Sequence, residues 1–212
     1  TGYAYPCNQA MSQGNGKYFL LCNNDIKLPK NCLSDFEKIF IDFPESGIIG
    51  GQLLDVNQNM VGSYSKAPTF FSELDSIGRL RSPERYKTIH EVGTLRGACL
   101  AVRRSTVESA GMMDDDFFFY FEETEWCTRI AKNGWKVLVA PHIKIMHIGG
   151  DSTKSVYYGS RIEFFRSRLL FWHKTLPAHL VIILYLWNIP KLIIDGCFYL
   201  IITTLTLGLN IR

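Results

Sequence analysis

Between residues 17 and 148 short apolar runs alternate with stretches of helical period, and that alternation restricts the chain to a layered α/β fold with a mostly parallel sheet flanked by helices. Residues 17–22 form a short apolar run rich in aromatic residues, which suits a buried strand. The run stops at Asn23-Asn24-Asp25, which cannot continue a buried strand and reads as a loop at its carboxyl end. Pro29 opens a helical stretch over 32–40 that Pro44 closes. Further strands are expected at 47–54, 97–102, 136–140 and 144–148. Residues 55–85, with their Asn, Ser, Gly and Pro, predict an irregular excursion or flap. A short helix should run from Ser105, as its N-cap, to Gly111 just past its end. The acidic and aromatic block 114–125 should lead into a helix ending at Gly134.

Composition narrows the function classes. With 47% hydrophobic and 20% charged residues, the chain is neither disordered nor a charged tail. A net charge of +3, with no basic run interleaved with aromatics, argues against nucleic acid as a partner. None of the six cysteines forms a C-x-x-C pair, so they read as small core residues in a reducing, cytoplasmic compartment. Thr1-Gly2-Tyr3 reads as the middle of a domain, so the chain is expected to be a piece of a longer one.

The last third changes character. Residues 160–174 mix Arg161, Arg166, Arg168, His173 and Lys174 with Phe and Trp, and two apolar stretches follow at 180–194 and 197–209. Each is shorter than the ~20 apolar residues of a membrane-spanning helix. The expectation is a catalytic part over 1–158, then a basic amphipathic helix and an apolar helical tail over 159–212. That tail would lie at the cytoplasmic face of a membrane, with a pair of core helices as the alternative.

Three places could carry chemistry. Asp25, in a loop at the carboxyl end of a buried strand, lies where open α/β sheets bind ligands and could hold Mg²⁺ or Mn²⁺ against a substrate's phosphates. The alternative is a local Asx-turn. The block Phe117-Phe118-Phe119-Tyr120-Phe121-Glu122-Glu123-Thr124-Glu125-Trp126 crowds three carboxylates into a first helical turn behind five aromatics. Acids there complement the helix dipole by ~0.3–1 kcal/mol, and Glu125 with Arg129 has salt-bridge spacing. The aromatics would nonetheless desolvate the acids and make one a better general base. Glu122 and Glu123 cannot share a helix face, so only one should point into a given pocket. His147 at a strand end, before Gly149 and Gly150, is a third candidate, with His142 as its competitor.

In order, these strings resemble the family 2 glycosyltransferases with the GT-A fold, especially the rhamnosyltransferase-like branch. The likeness rests on Gly2-Tyr3-Ala4 with Asn8, on Gly16 to Asp25 and on Leu95 to Arg104. It continues through the Gly111 to Arg129 block and His147-Ile148-Gly149-Gly150-Asp151-Ser152. The resemblance implies that Asp25 binds a divalent cation gripping the donor diphosphate, in a motif with Asn23 at its first position. His147 would complete that metal site. Glu122-Glu123 would be the acidic pair supplying the base, with Glu123 chosen. Asn23, Asn24, Gly97 and Ala98 would flank donor and acceptor, and Trp126 would help form the sugar pocket. It also implies a nucleotide-sugar donor, a glycan or lipid-linked acceptor, single-displacement inversion, and the absence here of the first strands that hold base and ribose. Rival readings are a carboxylate phosphohydrolase and a non-catalytic, membrane-associated glycan-binding or scaffold module.

Overall fold

The computed structural model describes residues 2–75, 87–148 and 157–190. They form strands β1 (Tyr18–Cys22), β2 (Ile26–Lys27), β3 (Ser46–Leu54), β4 (Tyr64–Ser65), β5 (His90–Glu91), β6 (Thr94–Leu95), β7 (Cys99–Arg103) and β8 (Lys136–His147). The helices are α1 (Ala4–Gln13), α2 (Cys32–Asp42), α3 (Phe70–Asp75), α4 (Arg104–Ala110), α5 (Glu122–Lys132) and α6 (Tyr157–Thr175). Two compact units result, Thr1–Ala67 with Arg81–Phe171 and Pro68–Leu80 with Trp172–Arg212.

The first unit is built on a sheet of order β1-β7-β3-β8-β2, with β5 also on β8. It is mixed, where the alternation of elements predicted mostly parallel pairing. Only β3 and β8 run parallel; β1–β7, β3–β7, β2–β8 and β5–β8 are antiparallel. The cause is the excursion from Asp55 to Ala98. After it β7 runs backwards between β1 and β3, antiparallel to both.

The sheet is apolar on both faces because each face is covered. Leu21, Ile48, Leu100, Val102, Val137 and Val139 pack against α1, α4 and α5 through Ala4, Met11, Val107, Ala110, Trp126, Cys127 and Ile130. The alternate residues Ile49, Leu53, Ala101, Leu138, Ala140 and Ile145 pack against α2 through Cys32, Phe36, Ile39 and Phe40. Those four α2 positions fall at i, i+4, i+7 and i+8, one apolar stripe. Burying an aliphatic side chain of this kind stabilises the fold by about 1.5–3 kcal/mol. Phe43, restricted by the following Pro44, stops α2 two residues later than expected. Arg103 ties α2 to β3 by donating to the carbonyls of Phe40 (2.7 Å) and Ser46 (3.0 Å).

Other differences have local causes. Lys136–His147 form one strand where two were expected, because β8 stays paired on either side of a bulge. Ala140 pairs with Gly51 and Lys144 with Gln52, which leaves Pro141-His142-Ile143 looped out. α4 begins at Arg104, so Ser105 is inside it and not its cap, while Gly111 (φ 81°) does end it. Gly134 (φ 86°) likewise follows α5. The sequence pattern gave no sign of α1, which buries only Ala4 and Met11 and has no capping side chain.

In the second unit, Trp172 donates its indole N–H to the buried carboxylate of Glu73 (2.8 Å) and Trp187 donates to the Leu74 carbonyl (2.8 Å). Residues 178–190 are helical. The expected continuation of the apolar tail, 191–212, lies outside the described residues. Among the described residues no helix is long and apolar enough to cross a membrane.

Candidate active site

β1 ends at Cys22, and the turn Asn23-Asn24-Asp25 leads into β2, which lies along the carboxyl end of β8 with Ile26 opposite His147. The backbone is pinned on both sides: Asn23 N–H donates to Ala98 O (3.0 Å) and Ile148 N–H to Asp25 O (2.9 Å). This brings His147 Nε2 to 3.3 Å from Asp25 Oδ1. That oxygen is buried and accepts no hydrogen bond. An Asx-turn would engage it, as Asp55 does when its Oδ1 takes the N–H groups of Asn57 (2.9 Å) and Asn59 (2.8 Å). Asp25 is therefore not serving its own turn. His142, exposed on the β8 bulge, has no part in the arrangement.

An unsatisfied carboxylate oxygen facing an imidazole nitrogen suits a divalent cation as a two-ligand platform. Among the described residues no group of three or more His, Cys, Asp or Glu could hold a metal, so the rest of an oxygen shell would come from ligand phosphates and water. Gly149, Gly150 and Asp151 lie outside the described residues.

The carboxylate pair opens α5. Tyr120 (φ 70°) and Phe121 (φ 67°) both adopt left-handed backbone, which bulky residues rarely do, and this reverses the chain into the helix. Their rings are held by α6: Tyr120 lies 5.6 Å from Phe164, and Phe121 lies 5.4 Å from Phe164 and 5.5 Å from Phe171. Ser167 donates to Phe119 O (2.8 Å) and Tyr3 N–H to Phe118 O (3.1 Å). The aromatic run thus divides: Phe117 is buried, Phe118 and Phe119 are exposed, and Tyr120 and Phe121 fix the strained turn.

Glu122 is buried and Glu123 half-buried, and each has one oxygen, Oε2, out of solvent with no hydrogen-bond partner. Burial, with the Glu123 charge adding, pushes the Glu122 carboxyl up to about 8. Burial also raises Glu123, but there its own N–H, the Arg96 guanidinium and the Gly97 and Thr124 N–H groups pull the other way. The two carboxyls act on one another, and both help raise the Tyr3 phenol, whose main cause is burial.

The Gly97-Ala98 loop joins the two groups. Gly97 lies beside Glu123 and takes the Tyr3 hydroxyl on its carbonyl (2.8 Å), while Ala98 holds the Asn23 N–H. Gly97 is not demanded by crowding: a Cβ there would lie 3.9 Å from Glu123, an ordinary contact. Asn24 is exposed and Asn23 half-buried at the turn. Trp126 is a correction. It is fully buried, its indole N–H given to Gly111 O (2.8 Å), so it belongs to the core under the site and lines no sugar pocket. Tyr3 and Arg96 stand at the site without having been singled out. Their signal was that both lie in strings that carry the resemblance, Gly2-Tyr3-Ala4 and Leu95 to Arg104.

The Glu122 shift sets a pH dependence of stability. Its folded value lies above the ordinary 4.5, so between about 4.5 and about 8 the folded state holds a proton that the unfolded chain has lost. Unfolding free energy should be greatest below that window, fall through it and level off above. Denaturant unfolding at about pH 5 and about pH 8 reads the slope, and Glu122→Gln should flatten it. An unchanged slope would remove Glu122 as its source.

Solved structures similar to this chain include a mannosyltransferase. S. aureus TarS aligns with a TM-score of 0.54 at 15% identity, covering 84% of this chain and 29% of that one. The mannosyltransferase PcManGT of Pyrobaculum calidifontis, solved with GDP-Man and Mn²⁺, aligns at 0.51 and 18% identity over 87% of this chain and 48% of that one. At such identities the likeness bears on the fold, and it bears out the GT-A outline of a central sheet between helices. Among curated relatives, the N-acetylglucosaminyl-diphospho-decaprenol L-rhamnosyltransferase of Mycobacterium tuberculosis is 37% identical over 62 residues, 29% of this chain and 20% of that protein. The dTDP-rhamnosyl transferase RfbF of Shigella flexneri is 36% identical over 55 residues, 26% and 19% of the two chains. The matched segments thus span about a fifth of those relatives. The sequence matches the glycosyl transferase family group 2 over residues 18–211, well beyond half its length, and the chain belongs to that family.

Proposed function

We propose that this chain is catalytic machinery of an inverting, metal-dependent hexosyltransferase, moving a sugar from a nucleotide-sugar donor to a glycan or lipid-linked acceptor in cell-surface polysaccharide synthesis. The observation that carries the reading is the placement of Glu123, its Oε2 out of solvent and unpaired, beside the Gly97-Ala98 loop that also pins the Asp25 turn. Rhamnose is the sugar that the names of the Mycobacterium tuberculosis and Shigella flexneri relatives favour, and the first of those names also favours a polyprenyl-diphosphate acceptor.

In this reading Asp25 and His147 would hold the divalent cation, which when bound supplies Lewis-acid stabilisation of the leaving diphosphate. Burial raises both carboxyls, and at Glu123 the Arg96 guanidinium and the N–H groups of Gly97 and Thr124 work against that rise and favour the charged form a base needs. Glu123 then takes the proton of an acceptor hydroxyl as that hydroxyl attacks the anomeric carbon. A single displacement inverts the centre.

Nucleoside-diphosphate release from a panel of UDP, GDP and dTDP sugars, with Mn²⁺ or EDTA and a polyprenyl-linked acceptor, tests the proposal. Metal-dependent release that Asp25→Ala abolishes supports it. No release with any donor would favour the glycan-binding scaffold instead.

A membrane surface as partner, at the cytoplasmic face, belongs to the same proposal. Ile182, Ile183, Leu186, Trp187 and Ile189 are all exposed within the helical residues 178–190, and α6 exposes Ile162, Phe164 and Phe165. Co-sedimentation with anionic vesicles should fall when Ile182, Leu186 and Trp187 are replaced by serine. Equal sedimentation would remove the support.

A further inference from the structure

Two cysteines unused by the proposed chemistry stand between the halves of the site. Cys22 is the last residue of β1, directly before the Asn23-Asn24-Asp25 turn; Cys99 is the first of β7, directly after Gly97-Ala98. They oppose one another in the antiparallel register, with their sulfurs 3.7 Å apart.

The ladder fixes how close their backbones are. Asn23 N–H donates to Ala98 O and Arg104 N–H to Lys17 O, each at 3.0 Å, which marks 23–98 and 17–104 as hydrogen-bonded pairs. Opposed pairs alternate along an antiparallel ladder, so Cys22–Cys99 is a non-hydrogen-bonded pair, the kind with Cα atoms about 4.5 Å apart and side chains closest. A disulfide needs Cα atoms about 4.4–6.8 Å apart, so this pair can close with little backbone movement.

Access is divided between the two. Cys22 is exposed and Cys99 buried, so an oxidant in solution meets Cys22 first, and the thiol waiting beside the oxidised sulfur is Cys99. The Cys99 hydrogen bond also holds the Cys22 thiol below its ordinary value, which favours the reactive thiolate. Cys32 is the other cysteine whose charge is felt here, and it is buried at the start of α2.

We propose that Cys22 and Cys99 form a reversible disulfide modification site, closed by a hydroperoxide and reopened by a dithiol. The Cys22 thiolate attacks one peroxide oxygen; the O–O bond breaks, and the departing hydroxide is protonated to water. The Cys99 sulfur then attacks the sulfenic sulfur, the S–O bond breaks, and the oxygen leaves as a second water with the Cys99 proton. Two thiols are oxidised and one hydrogen peroxide is reduced to two waters. Closure draws the sulfurs from 3.7 Å to about 2.05 Å, pulling on the Asp25 turn and the Gly97-Ala98 loop from their shared root.

Trypsin separates the three relevant cysteines into peptides 18–27, 97–103 and 31–38. After hydrogen peroxide treatment of the whole protein, non-reducing mass spectrometry should find 18–27 joined to 97–103, lighter by a pair of hydrogen atoms, and dithiothreitol should release both. Cys22→Ser should abolish the link, and Cys32→Ser should leave it. A link from 18–27 to 31–38, or Cys22 advancing to sulfinic acid with Cys99 still free, would overturn the proposal. A second readout rests on the transferase reading: nucleoside-diphosphate release should drop roughly tenfold on oxidation in the parent protein and not in Cys22→Ser. If no donor is turned over at all, that reading fails while the peptide map still decides the disulfide.

Discussion

A Glu123→Gln protein should fold like its parent and bind donor equally well, yet transfer sugar about 10²–10⁴-fold more slowly, the usual cost of losing a positioned general base. The amide has the size of the carboxyl it replaces and removes a partly desolvated charge, so the unfolding midpoint should not fall. The donor KM should hold, because Glu123 acts on the acceptor hydroxyl and not on the diphosphate. Glu122→Gln is the decisive companion. If Glu122 holds its proton near neutral pH, as burial and the neighbouring charge dictate, an amide mimics the form already present, and the loss at pH 7 should be within about threefold. The reverse result, with Glu122→Gln inactive and Glu123→Gln active, would exchange the two roles. Retention of near-parental kcat by both would end the assignment of a base to α5.

Much of this site was legible because its chemistry is written in short, local patterns. The apolar run of β1 followed by Asn23-Asn24-Asp25 placed a carboxylate at a strand end, and Pro29 before and Pro44 after framed α2. Other features depend on partners far away in sequence. Strand direction is set by how the excursion 55–98 returns, which no local pattern records. β8 survives its Pro141 bulge because Gly51 and Gln52 keep its pairing on either side. Trp126 sits among acids in the sequence, yet its indole N–H finds Gly111 O and the ring is buried. Tyr3 and Arg96 reach Glu122 and Glu123 only through the fold.

Arg129→Met should lower the unfolding free energy by about 3 kcal/mol. Spacing alone marked Arg129 and Glu125 as an ordinary helix pair, worth a few tenths of a kcal/mol when exposed. The structure makes it more. Arg129 Nε and Nη2 grip the two oxygens of Glu125, each at 2.8 Å, and Glu125 is buried. The same guanidinium donates to the carbonyls of Ala110 and Met112. Those carbonyls belong to the link between α4 and α5, which Trp126 also holds through Gly111 and Asn8 through Met113. Removing Arg129 therefore strands a buried carboxylate and frees two carbonyls at once. Adding Glu125→Gln should restore part of the loss, because it removes the uncompensated charge but leaves the carbonyls without their donor. Denaturant unfolding of the two single variants and the double variant reads the coupling directly. A double variant as unstable as the sum of the singles would mean that the pair is only the surface bridge its spacing suggests, and that Arg129 acts through the carbonyls of Ala110 and Met112.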